Sequence, residues 1–327
     1  MADKLRLSLA LGDYEHTRDI ITGKVPVEGV DLITMNHQIE EIFFRYTFFK
    51  EWDVAELSMG KYVSLRSQGD ETFTAIPVFI SRQFRLSMFY VREGSGITHP
   101  SQLKGKRIGV PEWAQTATIY SRGYLAHQCG VPLSSVDWVQ AGVNMAGRVE
   151  KVELKLPADI RLQRVKDKTL SAMLLDGEID AILSARAPDA YRKGAVRIFE
   201  EYQPVEEAYY RETGIYPIMH VAAIRTEVLK QYPWIAKNFF LAFEEAKRRS
   251  YERLGDIAAS GAPLAWLSDY TGKMKSLFGE DYFPYGLEKN HTTLDAFLQY
   301  AHEQGVCHKR LSPEELFPKQ VLASFKV

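Results

Sequence analysis

The chain has 327 residues, more than one hydrophobic core comfortably serves, so two lobes are expected. Its 46% apolar and 25% charged composition is ordinary for a globular protein, and 41 basic against 42 acidic residues leave a formal charge of −1, which argues against nucleic acid or an anionic membrane as partner. No apolar run reaches the roughly 18 residues of a membrane span, and Cys129 and Cys307 lie far apart, outside any CxxC or Cys/His cluster, so they read as small, partly buried residues rather than a disulfide or zinc framework.

Met1 to Lys4 run straight into the alternating stretch Leu5–Leu11, a first strand rather than the apolar region of a signal peptide, so a cytoplasmic location is expected. A short helix near Glu15–Thr22 follows, then a strand at Val30–Met35 and a helix at Ile39–Phe48 with Ile39, Ile42, Phe43 and Tyr46 on one face. Asp53–Leu57 is a strand, Ser58 to Gly60 turn into a helix, and Thr72–Ile80 and Ser87–Val91 are strands, an order that predicts a mostly parallel sheet. Three glycines and a proline in Gly94–Gly105 mark the way into a second lobe, with strands at Lys106–Val110, Val136–Gln140 and Ile179–Ser184 and helices opening at Pro111–Thr116 and Thr169. Residues 143–168 are polar and read as irregular. Gly214–Arg225 reads as one long apolar strand broken by Pro217, hence an edge or crossing strand. The remainder is helical and aromatic, led by the stripe Ile235, Phe239, Ala242, Phe243, Ala246 and closed by a helix over Thr292–Gln304; its aromatic surface serves a core or a homo-oligomer interface equally well.

The fold class is therefore α/β, two-lobed, with residues 1–90 and 218–327 forming one discontinuous lobe and 91–217 an inserted second lobe. Chain crossings are expected near Ser87–Val91 and Ile218–Ile224. In open α/β sheets ligands sit beyond the carboxyl ends of the strands, and two such ends facing each other make a cleft for a small molecule. The loops there carry Asp13, Tyr14, His16, Ser58, Lys61, Ser81, Arg82, Arg85, Glu112, Gln115, Thr116 and Arg186. Arg82 and Arg85, three apart in one turn, suit a dianion because guanidinium forks match carboxylates; the plainer alternative is a pair of solvated loop charges. The turn Glu112–Thr116 presents free backbone N–H groups at a helix N-terminus, either for a carboxylate or simply as a capped helix. His220, mid-strand among apolar neighbours, is either a hydrogen-bonded core residue or a proton donor facing the cleft. No Gly-rich phosphate loop, GxSxG, HExxH or paired-His spacing occurs, so no metal ligand is assigned, and a metal is left open only by tertiary convergence.

Five stretches carry a resemblance. Val78-Phe-Ile-Ser-Arg-Gln-Phe-Arg85, the run from Leu103 to Glu112, the run from Leu174 to Pro188, and Thr213-Gly-Ile-Tyr-Pro-Ile-Met-His220 resemble the 4,5-dihydroxyphthalate decarboxylase family, as does Pro284 to Leu298 near the C-terminus. The pieces around Gly105 and Gly177 are shared widely with type II solute-binding proteins; Arg82-Gln-Phe-Arg85 and Tyr216 to His220 are more specific. The resemblance implies a type II periplasmic-binding-protein-like fold and non-oxidative loss of CO2 from a hydroxylated aromatic dicarboxylate, giving protocatechuate. Such a reaction proceeds by protonation of the ring carbon bearing the carboxylate, with a para hydroxyl pushing electrons, and calls for no cofactor. On this reading Glu112 or His220 is the proton donor, Arg82, Arg85 and Thr116 anchor carboxylate, and Gln115, Tyr14, Ser58 and Arg186 line the walls. The alternative on the same fold is a non-catalytic solute-binding protein for a small aromatic carboxylate.

Overall fold

The structure, a computed structural model, describes residues 4–322. In chain order the elements are β1 (Leu5–Leu11), α1 (Arg18–Ile21), β2 (Val30–Asn36), α2 (Ile39–Phe49), β3 (Val54–Ser58), α3 (Met59–Ser67), β4 (Phe73–Ala75) and β5 (Ser81–Arg82). They continue with β6 (Phe89–Arg92), β7 (Arg107–Val110), α4 (Thr116–His127), β8 (Asp137–Gly142), β9 (Arg161–Thr169), α5 (Leu170–Leu175), β10 (Ala181–Leu183), β11 (Ala195–Arg197) and α6 (Tyr202–Thr213). The chain ends with β12 (Ile218–Arg225), α7 (Thr226–Gln231), α8 (Ile235–Gly255), α9 (Leu267–Phe278) and α10 (His291–Glu303).

Two sheets result. The first has the order β2-β1-β3-β12-β4, with β5 also paired to β12; β1 is parallel to β2 and β3, and β12 runs antiparallel to its neighbours. The second has the order β11-β6-β10-β7-β8-β9, parallel from β10 through β9, with β6 antiparallel between β10 and β11. The sequence accounts for much of this. β3 is buried along its whole length, as a strand covered on both faces must be, and four of its residues are small or apolar; Glu56 is the exception. The stripe of α8 is buried as expected, with Phe239 and Phe243 fully enclosed, each contributing roughly 1.5–3 kcal/mol by burial. Thr169 caps α5 by accepting the Ala172 N–H at 3.2 Å.

Four expectations change. Pro217 does not interrupt a strand: Gly214, at φ 68°, ends α6, and β12 starts after the proline as an internal strand between β3 and β4. Neither β6 nor β12 spans both sheets; the chain crosses through residues 83–88 and again through 214–217. The segment read as irregular ends in the nine-residue strand β9, whose charged edge hid its period. Of the stretch Thr72–Ile80 only Phe73–Ala75 is a strand.

Helix α10 packs against both α3 and α4, with Tyr120 of α4 stacked on Phe297 at 4.8 Å, so it ties the two sheets together behind the cleft. Both cysteines are unpaired, and burial pushes the Cys129 thiol up to about 11 and that of Cys307 to about 12. Among the described residues no helix is long and apolar enough to cross a membrane.

Candidate active site

The carboxyl ends of β1, β3 and β7, the start of the antiparallel β12 and the loop after β10 open on one cavity of about 310 Å³ between the lobes. Tyr14, Ser58, Arg85, Glu112, Gln115, Thr116, Arg186 and His220 all line it. A larger hollow of about 960 Å³ lies along β8 and β9, but it holds none of these residues and mixes apolar side chains such as Trp138 and Leu162 with charges of both signs. The smaller cavity is the one into which buried polar groups converge.

Three of those groups form a chain. The Glu56 carboxylate is fully buried and receives the Tyr14 hydroxyl at 2.6 Å, the Gly12 N–H at 3.0 Å and the Nδ1 of His220 at 2.5 Å. The strands set this up: in the β3–β12 ladder His220 faces Ser58 and Ala222 faces Glu56, so His220 and Glu56 are diagonal neighbours on one face. Ala222 is small enough to leave Glu56 its room. With Nδ1 committed to a carboxylate, Nε2 is the nitrogen left for the cavity, and the edge-on Phe43 ring at 4.8 Å holds the imidazole plane. Burial, then Glu56, push the Tyr14 phenol well above its ordinary range, so it stays a hydrogen-bond donor.

Glu112 is the centre of a second cluster. Lys61 reaches its Oε2 at 3.0 Å, while Arg148 and Lys151 share its Oε1 at 2.7 and 3.0 Å. Burial by itself raises this carboxyl; Lys61, Arg148 and Lys151 outweigh it and bring it down to about 2. Burial in turn lowers the Lys61 ammonium, against the pull of Glu112. A carboxyl held ionised by three cations has no proton to give near neutral pH, which weighs against Glu112 as the acid.

Arg85 is buried, and among the described residues its Nε and Nη1 meet the thioether sulfurs of Met219 and Met88 at 3.0 and 3.1 Å. Thioethers are weak acceptors, so this guanidinium reaches the cavity undersupplied with anionic partners. Burial lowers it to about 10, still far above neutral. Ser58 and Thr116 meet hydroxyl to hydroxyl at 3.0 Å, and Thr116 Oγ1 accepts the Gly60 N–H at 2.9 Å, which closes one lobe on the other. Gln115 is the N-cap residue of α4. Arg186 pairs with Glu40 of α2 at 2.6 Å across the exposed rim of the cavity.

Arg82 is the correction. Its guanidinium turns away from the cavity and donates to the carbonyls of Tyr216 at 2.9 Å and Pro284 at 2.7 Å and to Asn290 Oδ1. It lies over the rings of Phe79, Tyr216 and Phe283, at 5.1, 4.9 and 5.7 Å. Arg82 and Arg85, close in sequence, leave opposite sides of the crossing segment. The residues that sequence reasoning passed over are Glu56, Arg148 and Lys151. Glu56 did carry a signal, a lone acid inside an apolar strand; Arg148 and Lys151 lie in a stretch of scattered charges that looks like any solvated loop. Among the described residues no three His, Cys, Asp or Glu side chains converge to hold a metal ion.

Fold and site together define a two-lobed α/β protein with a cavity between its two sheets lined by Lys61, Arg85, Glu112, Arg148, Lys151 and His220. No family model matches the chain. It is 38% identical over 328 residues to 4,5-dihydroxyphthalate decarboxylase of Comamonas testosteroni, covering 99% of each chain. It is 41% identical over 207 residues to 4,5-dihydroxyphthalate decarboxylase of Pseudomonas putida, covering 63% of this chain and 80% of that one. The chain belongs to the 4,5-dihydroxyphthalate decarboxylase family. Among solved structures, the aliphatic sulphonate binding protein SsuA of Escherichia coli aligns over 99% of this chain and 96% of its own with 11% identity and a TM-score of 0.49. The Candida albicans CA3427 gene product aligns over 98% of each chain with 15% identity and a TM-score of 0.49.

Proposed function

We propose that this chain removes CO2 from a hydroxylated aromatic dicarboxylate, 4,5-dihydroxyphthalate, to give protocatechuate. Family membership supports the reaction, and the His220–Glu56 pair at the wall of an anion-ready cavity is the observation that carries its assignment to residues. The retained carboxylate pairs with Arg85, assisted by Gln115 and Thr116 at the N-terminus of α4. The carboxylate that leaves faces the apolar wall of Ile39, Phe43 and Met219, where its charge is poorly solvated and loss as neutral CO2 is favoured.

His220, protonated and steered by Glu56, gives its Nε2 proton to the ring carbon bearing that carboxylate. A new C–H bond forms while the para hydroxyl feeds electrons into the ring. The bond to the carboxylate carbon then breaks, its electron pair restores the aromatic ring, and CO2 departs. Substrate dianion and one proton become product monoanion and CO2, and His220 regains its proton from water. Because the protonated ring is itself the electron sink, the proposal includes no cofactor. It also keeps a cytoplasmic setting, a homo-oligomer and the division into 1–90 with 218–327 against 91–217 as the two bodies that close on the substrate.

The test is to incubate the protein with 4,5-dihydroxyphthalate, with and without chelator, and to follow protocatechuate and CO2. Equal yields of both products, undiminished by chelator, are expected. Tight binding without turnover would make the protein a carboxylate-binding protein instead.

A further inference from the structure

Three cations stand around Glu112, and they are not equivalent. Lys61 is 5% exposed and holds Oε2 alone, whereas Arg148 and Lys151, 33% and 18% exposed, crowd onto Oε1. Glu112 itself is 1% exposed. Lys61 is thus the most enclosed of three cations that line the cavity and keeps one carboxylate oxygen to itself, and the two on the other oxygen exceed what one carboxylate needs. Both come from residues 143–160, the excursion between β8 and β9.

That excursion is fastened at both ends. Asn144 exchanges hydrogen bonds with the loop after β10, donating to the Ala187 carbonyl at 3.1 Å and accepting the Asp189 N–H at 2.8 Å. Farther along, the Lys155 N–H meets the Gly305 carbonyl at 2.8 Å, beyond α10. Gly305 has φ +68°, and a Cβ there would lie 2.2 Å from the Lys155 carbonyl oxygen, so the strap sits as close as a glycine permits. Between these anchors Glu150 accepts the N–H groups of Ala114 and Lys151, both at 3.1 Å, which fixes the backbone from which Lys151 and Arg148 reach the cavity.

We propose that Arg148 and Lys151 are substrate-binding residues, which Glu112 holds in place at the cleft and which bind a second anionic oxygen of the ligand, a carboxylate or a ring oxygen. The inference rests on the function proposed above only for the aromatic class of ligand. An anion entering near Oε1 shares these two cations without stripping Glu112 of its counter-charge, because Lys61 remains. The strap supplies them already placed, so little order must be gained on binding.

The experiment is calorimetric binding of three unreactive probes, benzoate, phthalate and protocatechuate, to the wild-type protein and to the double variant Arg148→Ala/Lys151→Ala. Relative to benzoate, the variant is expected to lose about tenfold or more in affinity for phthalate if the partner is a carboxylate, or for protocatechuate if it is a ring oxygen. Arg148→Lys/Lys151→Arg keeps both charges and is expected to restore most of the loss, which separates the charge from a folding defect. Equal changes for all three probes, or no change, would overturn the proposal. Turnover of 4,5-dihydroxyphthalate by the wild type is read separately, so failure of the decarboxylase reading and failure of this one give different results.

Discussion

Two arginines three residues apart have opposite fates. Arg85 faces the cavity with weak sulfur acceptors, while Arg82 satisfies backbone carbonyls on the far side of the crossing segment. Arg82→Met is therefore expected to leave KM unchanged and to cost roughly 3 kcal/mol of stability, because buried acceptors lose their donor; a denaturant titration and a KM measurement check both halves, and a tenfold rise in KM at unchanged stability would return Arg82 to the substrate. Glu206, buried on α6, accepts the N–H groups of Leu86 at 2.8 Å and Ser87 at 3.3 Å, pinning the segment that carries Arg85. Burial raises its carboxyl from the ordinary 4.5 to about 7, against the pull of those N–H groups and of Arg85. Below pH 4.5 folded and unfolded chains both hold this proton; between 4.5 and 7 unfolding releases it, so the stability contributed by this site falls as pH rises and is fully lost above 7. Glu206→Gln keeps an acceptor without the charge. Compared with wild type across pH 4.5–7.5, it is expected to remove a slope worth roughly 3 kcal/mol, and parallel stability profiles would refute this.

At the scale of elements, the cleft depends on β3 and β12 lying side by side and on α3 meeting α4. His220 was legible as a polar residue in an apolar strand and Glu56, of the same kind, was passed over; their pairing follows from a register that nothing local in either strand specifies. Pro217 misled because a proline just before a strand and one inside it look alike until the helix stop at Gly214 is seen. The charged pattern of β9 concealed a strand, since an exposed edge has no apolar period to show. The approach of α3 to α4 explains Gly60: a Cβ there would lie 2.6 Å from the Ala114 carbonyl oxygen of the opposite lobe. Gly60→Ala is expected to retain or slightly improve helix stability, by up to about 1 kcal/mol, while prying the lobes apart and weakening phthalate binding. Binding calorimetry with small-angle scattering reads both, and unchanged affinity with an unchanged radius of gyration would show that the contact has slack.

For the whole molecule, the alternation of strands and helices and the return of the chain to its first sheet were readable in the sequence, because burial writes its period there. Which loops meet across the cleft was not, because the contacts Lys61–Glu112, Gly60–Thr116 and Arg186–Glu40 join residues dozens of positions apart through closure of two lobes. That closure assembles the site: the first sheet brings His220 and Glu56, the loop after β1 brings Tyr14, α3 brings Lys61, Arg85 comes from the first crossing segment, and the second lobe brings Glu112, Thr116, Arg148 and Lys151. The central claim is that His220 protonates the ring carbon. It is tested most directly by comparing turnover of 4,5-dihydroxyphthalate by wild type and His220→Asn, with phthalate affinity measured in both. The account predicts that the variant binds phthalate as the wild type does and forms protocatechuate about 10²–10⁴-fold more slowly. A variant that folds, binds and turns over at the wild-type rate would contradict it.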